Sequence, residues 1–187
     1  MPKMSHAAAA ALIAALSLSS AQAAGFYAGV NAGASEAQDL GNAASAGIYA
    51  GYAVDPWLTL EIGYNRLGRW TGNDQGQPYA TVVDNVDVSL TAGPRFGRRV
   101  RVYGRIGFVD WSTIGTGGGG EHRITGSSAQ NDMLEELHQG FYGLGVSYRL
   151  RRHIGLRLEY RVYRAMAVNG HDLDINSVLL GAAYHFG

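Results

Sequence analysis

Glu61, Arg105, Arg157 and Glu159 are the residues in this chain whose types and positions call first for an explanation. Around the last two, Ile154, Leu156, Leu158, Tyr160 and Val162 alternate without a miss with Gly155, Arg157, Glu159 and Arg161. Three charges in the middle of a β-strand cannot enter an ordinary core, because buried charge is costly unless it is paired. Two acids and two bases on one face can pair with each other, and low dielectric strengthens the attraction. Such a cluster does one of two things: it plugs the space it occupies, or it gates a narrow water path. Arg95, Arg149 and Arg161 are candidates to join it.

Signals for other chemistry are weak. Gly115, Gly117 and Gly120 fit a G-x-G-x-x-G spacing, but no βαβ unit surrounds them, so they read as loop rather than nucleotide site. Neither G-x-S-x-G nor H-E-x-x-H occurs. Asp110 and Ser112, near His122, are the residues a surface acyl-transfer or lipid A-modifying site would use. His138, His153, His171 and His185 lack metal-ligand spacing. The expectation is a protein with no catalytic residues, no metal and no cofactor.

Eight strands are predicted to position these groups, at 25–34, 45–54, 57–67, 86–96, 100–111, 137–149, 153–166 and 174–186. Each is long enough to cross a bilayer when tilted. Short turns at 54–56, 97–99 and 150–152 alternate with longer Gly-, Ser-, Asn- and Asp-rich connections at 35–44, 68–85, 112–136 and 167–173. Alternation alone also fits a soluble, lipocalin-like barrel with its faces swapped. Aromatics near strand ends (Phe26, Tyr52, Tyr64, Tyr148, Tyr184, Phe186) favour interfacial girdles. Glycines collect on the charged face, where long polar side chains need small neighbours. The final strand, with outward apolar residues and the aromatics Tyr184 and Phe186, looks like the signal that barrel-assembly machinery recognises, although Gly187 follows Phe186.

Lys3, the apolar run 7–18 and Ala21-Gln22-Ala23 read as a cleaved secretory signal peptide over residues 1–23, leaving a barrel domain at 24–187. Lys3 is the one lysine, so the mature chain holds 14 arginines against 15 acids and does not point to nucleic acid. Cysteine is absent, so packing or lipid must hold a secreted chain together.

The residues resemble the transmembrane domain of the OmpA-type outer-membrane barrel family. The likeness runs through Phe26-Tyr27-Ala28-Gly29, Gly51-Tyr52-Ala53-Val54-Asp55-Pro56, Leu60-Glu61-Ile62-Gly63-Tyr64 and Leu67-Gly68-Arg69. It continues through Leu90-Thr91-Ala92, Val102-Tyr103-Gly104-Arg105-Ile106-Gly107 and Arg157-Leu158-Glu159-Tyr160. The resemblance implies an all-β, eight-stranded antiparallel up-and-down transmembrane β-barrel in the cell outer membrane, plugged by a cluster like this one. Ser147 and Gly93 stand where the family has a further acid and base, so the network is expected to be smaller. The sequence stops at the eighth predicted strand, so no peptidoglycan-binding domain is expected.

Charge also differs between the two ends. The turn side is basic through Arg98, Arg99, Arg101, Arg151 and Arg152, whereas Glu36, Asp39, Asp74, Asp84, Glu121, Asp132, Glu135, Glu136 and Asp172 fall in the long connections. The expected partners are outer-membrane lipid, lipopolysaccharide through Arg66, Arg69 and Arg164, the assembly machinery, and an extracellular ligand at the loops, for a monomer. The expected role is structural or surface-interacting. A pore gated by the charge cluster and a lipid A-modifying enzyme are the alternatives.

Overall fold

The computed structural model describes residues 25–37, 41–74, 77–117, 120–125, 140–168 and 171–186. The proposed signal peptide and residues 126–139 of the third long connection lie outside them. Ten strands form: β1 (Phe26–Ala37), β2 (Gly41–Ala53), β3 (Leu58–Asp74), β4 (Gln77–Ala92), β5 (Arg95–Phe96), β6 (Val100–Gly117), β7 (Gly120–Thr125), β8 (Gly140–Arg149), β9 (Ile154–Val168) and β10 (His171–His185). β1, β2, β3, β4, β6, β8, β9 and β10 pair in chain order, all antiparallel, and the β1–β10 pairing closes an eight-stranded barrel. β5 and β7 are short additions to β6, one at each end.

Closure leaves no free edge, the condition for a sheet to survive in hydrocarbon. The seam is short of nothing: Tyr27 opposes His185, and the Phe186 amide donates to the Phe26 carbonyl at 2.9 Å. Both chain ends therefore lie at the end that carries the short turns. In the first turn, the Asp55 carboxylate accepts from the amides of Trp57 and Leu58, the latter at 2.7 Å, as an Asx turn does. In the β5–β6 turn, Gly97 takes φ 64°, which a side chain would resist.

The faces are inverted relative to a soluble protein. Val30, Leu60, Ile106, Leu144, Leu158 and Leu180 point outward, Leu144 being 68% exposed, while Glu61, Arg105 and Glu159 are buried in the lumen. Phe26, Tyr52, Tyr148, Tyr184 and Phe186 ring the turn end, and Tyr64, Tyr142 and Tyr160 face outward nearer the other. Only a lipid surround makes that outer surface favourable, which disposes of the swapped-face alternative.

The long connections expected at 35–44, 68–85 and 167–173 are mostly strand. β3 and β4 continue as a hairpin until Asp74 opposes Gln77, and β6 folds back on β7 until Gly117 opposes Gly120. The glycine motif at Gly115, Gly117 and Gly120 is thus a hairpin end. The Gly, Thr, Asn and Asp residues of these segments hid the ladders, since such residues signal turns.

The outer half of the lumen is apolar, which the sequence reading does not anticipate. Leu67, Trp70, Val83, Val109, Trp111, Phe141, Tyr163 and Ile175 form a buried cluster there. Val83, Val109, Trp111, Phe141, Tyr163 and Ile175 continue the inward alternation of their strands, and a β-bulge between Arg66 and Gly68 adds Trp70. One extra residue in β3 changes which face later residues take, so Leu67 and then Trp70 both turn inward. Trp70 is fixed by its indole Nε1, which donates to the Gly41 carbonyl at 2.9 Å.

Leu158 lies between the luminal Arg157 and Glu159 but faces outward. Leu158→Arg is expected to cost about 2–4 kcal/mol by equilibrium urea unfolding in lipid vesicles. An unchanged midpoint would contradict the assignment of faces.

Candidate functional site: the luminal charge network

The lumen at mid-height holds Glu61 from β3, Asp87 from β4, Arg105 from β6 and Arg157, Glu159 and Arg161 from β9. Their alternation places them inward, and the closed wall brings them within contact. Glu61 accepts from Arg105 Nη2 and from Arg157 Nη1, the latter at 2.9 and 3.1 Å. Glu159 pairs with Arg105 Nε and with Arg161 Nε, the latter at 3.0 Å, and Arg157 Nε lies 3.4 Å from its Oε2. Arg161 Nη1 reaches Asp87 at 3.6 Å. Three guanidinium groups thus face three carboxylates, and every charge has an opposite neighbour.

Neutral groups fill further positions. The Tyr27 hydroxyl donates to Glu61 and the Tyr103 hydroxyl donates to Glu159 at 3.4 Å. Arg105 Nη1 donates to Ser89 Oγ at 2.7 Å. Asn65 Nδ2 donates to Asp87 at 2.7 Å and to Asn85 at 2.9 Å, extending the polar layer toward the outer end. The Arg157 guanidinium carbon lies over the Tyr49 ring, 3.4 Å from its centroid.

Glycines make the space for these tyrosines. Tyr27 is directly opposite Gly51 and Tyr103 directly opposite Gly145, so each ring folds across the glycine facing it. A Cβ at Gly51 would fall 2.5 Å from Tyr27 Oη and 2.9 Å from Glu61 Cγ; one at Gly145 would fall 2.6 Å from Tyr103 Oη. The chain spends wall volume on aromatic props for the carboxylates.

Glu61, Arg105, Arg157 and Glu159 are therefore brought into one group, and Arg161 joins it. Arg95 and Arg149 do not; they lie at the turn end of the barrel. Asp87, Asn65 and the three tyrosines were not singled out from the sequence. Tyr27 and Tyr103 share the alternation of Gly29 and Arg105, and Asp87 that of Ser89 and Thr91, so their inward direction was readable although their partners were not. Arg66, Arg69 and Arg164 face outward toward the outer end; Arg66 Nε pairs with Asp84 at 2.9 Å, and Arg164 Nη1 lies 3.8 Å from Asp174. Tyr184 and Phe186 pack edge to face, 5.2 Å apart, on the outer surface of the turn end. Asp110 faces outward, and the backbones of Ser112 and His122 lie on facing strands three residue pairs apart, Ser112 opposite Thr125 and His122 opposite Gly115. No group of His, Asp and Glu among the described residues is arranged to hold a metal.

Residues 6–186 match the family model of the outer membrane protein beta-barrel domain. The chain belongs to this outer-membrane β-barrel family. It is 26% identical over 175 residues to outer membrane protein A of Salmonella typhi, covering 87% of this chain and 48% of that protein. It is 28% identical over 145 residues to outer membrane protein A of Klebsiella pneumoniae, covering 76% and 41% respectively. The chain spans about half the length, or less, of the curated relatives it matches. Among solved structures it resembles Neisserial surface protein A, with TM-score 0.65 and 20% identity, over 87% of this chain and 98% of that one. It also resembles Ail of Yersinia pestis, solved with the heparin analogue sucrose octasulfate, with TM-score 0.59, 14% identity and 87% and 99% coverage. The OmpA-type outer-membrane barrel and its location in the cell outer membrane follow from the family match and the inverted faces together.

Removing one acid of this family member's network leaves buried cations unpaired. Glu61→Ala is expected to destabilise the barrel by about 3–5 kcal/mol, measured by urea unfolding in vesicles. Gly51→Ala, which leaves every charge in place but crowds Tyr27, is expected to cost about 1–3 kcal/mol in the same assay. If Glu61→Ala unfolds at the wild-type midpoint, the network carries no stability.

Proposed function

We propose that this outer-membrane barrel is a closed, non-catalytic protein whose role is structural and surface-interacting. The observation that carries the reading is the filling of the lumen at two levels. The paired charges of Glu61, Asp87, Arg105, Arg157, Glu159 and Arg161 occupy mid-height, and the cluster around Leu67, Trp70 and Tyr163 occupies the outer half. A lumen so occupied at mid-height and above leaves recognition of partners outside the cell to the outer hairpins, and an eight-stranded interior is just wide enough for side chains to fill it.

At the exterior, the β3–β4 and β6–β7 hairpins present acidic, glycine-rich ends to the medium, and such connections commonly carry binding. Arg66, Arg69 and Arg164 are suited to lipopolysaccharide phosphates, with Arg69 having no acid partner among the described residues. Tyr184 and Phe186 on the closing strand are suited to recognition by the assembly machinery. Adhesion is the specific surface role this arrangement serves best.

Reconstituted in planar bilayers, the protein is expected to give no discrete conductance. Steps that change with Arg157→Gln would support the gated-pore alternative instead. Deleting residues 112–136 is expected to leave the faster gel mobility of the unboiled barrel intact while abolishing attachment of expressing cells to host-cell matrix. Retained attachment would remove the outer hairpin from the role. A lipid A mass profile altered by expression would overturn the non-catalytic reading.

A further inference from the structure

The turn end of the barrel opens into a cavity of about 320 Å³ beneath the charge network. Arg95, Arg98, Arg99, Arg101, Arg149 and Arg152 line it. None of the six has a carboxylate within ion-pair distance among the described residues. The one acid of the turns, Asp55, is committed to the amides of Trp57 and Leu58. Arg101 is held by neutral acceptors, the carbonyls of Trp57 at 2.7 Å and Thr91 at 3.0 Å and Thr59 Oγ1 at 3.1 Å. Arg99 donates to the Tyr148 hydroxyl at 3.2 Å. Burial, and after it the adjacent Arg149 and Arg101, lower the pKa of Arg95 at the rim.

The inner wall of the cavity supplies a second, independent observation. Arg157 is 7% exposed and lines the cavity, yet its Nη2 makes no hydrogen bond to the protein, although Nη1 is saturated by Glu61. The buried Tyr49 hydroxyl, also on that wall, lacks a partner in the same way. The rim guanidinium groups and the polar side chains of the closed end, Arg157 and Tyr49, thus border one space, the latter two with buried polar atoms that lack a protein partner. Glu61 also borders that space, but both its oxygens are occupied by Arg105, Arg157 and Tyr27.

We propose that this vestibule, at the short-turn end that outer-membrane barrels turn to the periplasm, is a binding site for a compact phosphate-bearing anion, entering from the turn end and stopped by the Glu61–Arg157 layer. Guanidinium groups match phosphate by paired N–H donors, and several around one concave wall favour a multivalent oxyanion over chloride. Six of the seven arginines at this end line the cavity, Arg99 from its rim beside Tyr148, whereas basic turns that merely met anionic lipid would have no reason to gather around one concave wall. Because the network closes the far side, the site holds its ligand without passing it on. A free phosphate ester and the headgroup of an inner-leaflet phospholipid share this chemistry.

The test uses the full barrel refolded in neutral detergent, with inorganic pyrophosphate followed by phosphorus NMR line broadening against sodium chloride at matched ionic strength. Saturable binding of pyrophosphate is expected, weakened by roughly tenfold in the double variant Arg95→Gln, Arg149→Gln. Unchanged heat-modifiable mobility of that variant shows that its barrel is intact. In a parallel arm, bicelles of phosphatidylglycerol and of phosphatidylcholine are compared by amide shifts of the vestibule residues. Shifts with phosphatidylglycerol that the double variant loses identify a lipid headgroup as the source, and pyrophosphate binding without them identifies a soluble ester. The proposal is overturned if neither probe binds above chloride and phosphatidylcholine, or if binding survives the double variant. Loss of binding in Arg69→Gln instead would move the site to the outer end and equally overturn it.

Discussion

The constraint on which the rest of this barrel depends is the burial of three guanidinium groups and three carboxylates in a lumen closed off from bulk water. Any one of them alone would be expensive, and several together are tolerable only if each finds an opposite charge in good geometry. That condition fixes more than the charges. It requires β3, β4, β6 and β9 to hold their registers, because a slip of one residue would turn Glu61 or Arg157 toward lipid. Register, closure and pairing therefore stand or fall together, with no disulfide to assist.

Size sets the second requirement. Large charged side chains and three tyrosines fit inside eight strands only because the facing wall positions are glycine. β8 contributes Gly143 and Gly145 opposite Arg161 and Glu159, and β10 contributes Gly181 opposite Arg157. Glycine in a strand normally weakens it through entropy and missing contacts. Here the lost contacts are restored by the rings and alkyl stems that lie over the bare backbone, so the weakness and the filling are one device.

Much of this was legible in the chain. Unbroken alternation from Ile154 to Val162 gave the inward direction of Arg157, Glu159 and Arg161, and short polar turns gave the up-and-down order. The partners of each charge were only partly legible, since the tilt of a closed barrel decides which heights coincide, and Asp87 meets Arg161 across non-neighbouring strands. The apolar outer lumen was hidden for a different reason. An extra residue between Arg66 and Gly68 breaks the period of β3 and hides the inward direction of Trp70, whereas Val109, Trp111, Phe141 and Ile175 keep the inward alternation of their strands on a face that such barrels ordinarily make polar. The outer hairpins were hidden because their Gly, Thr, Asn and Asp residues read as turn formers.

The length of β3 has a mechanical meaning. Seventeen residues at about 3.3 Å each, tilted by about 40°, rise roughly 40 Å, against an apolar band about 25 Å tall. The ladder with β4 runs to the last pair, so the surplus is a braced spar rather than a slack tether. Whatever the tip carries is held at a set height above the bilayer, and changes of sequence there alter what is displayed without altering how far from the cell it is displayed.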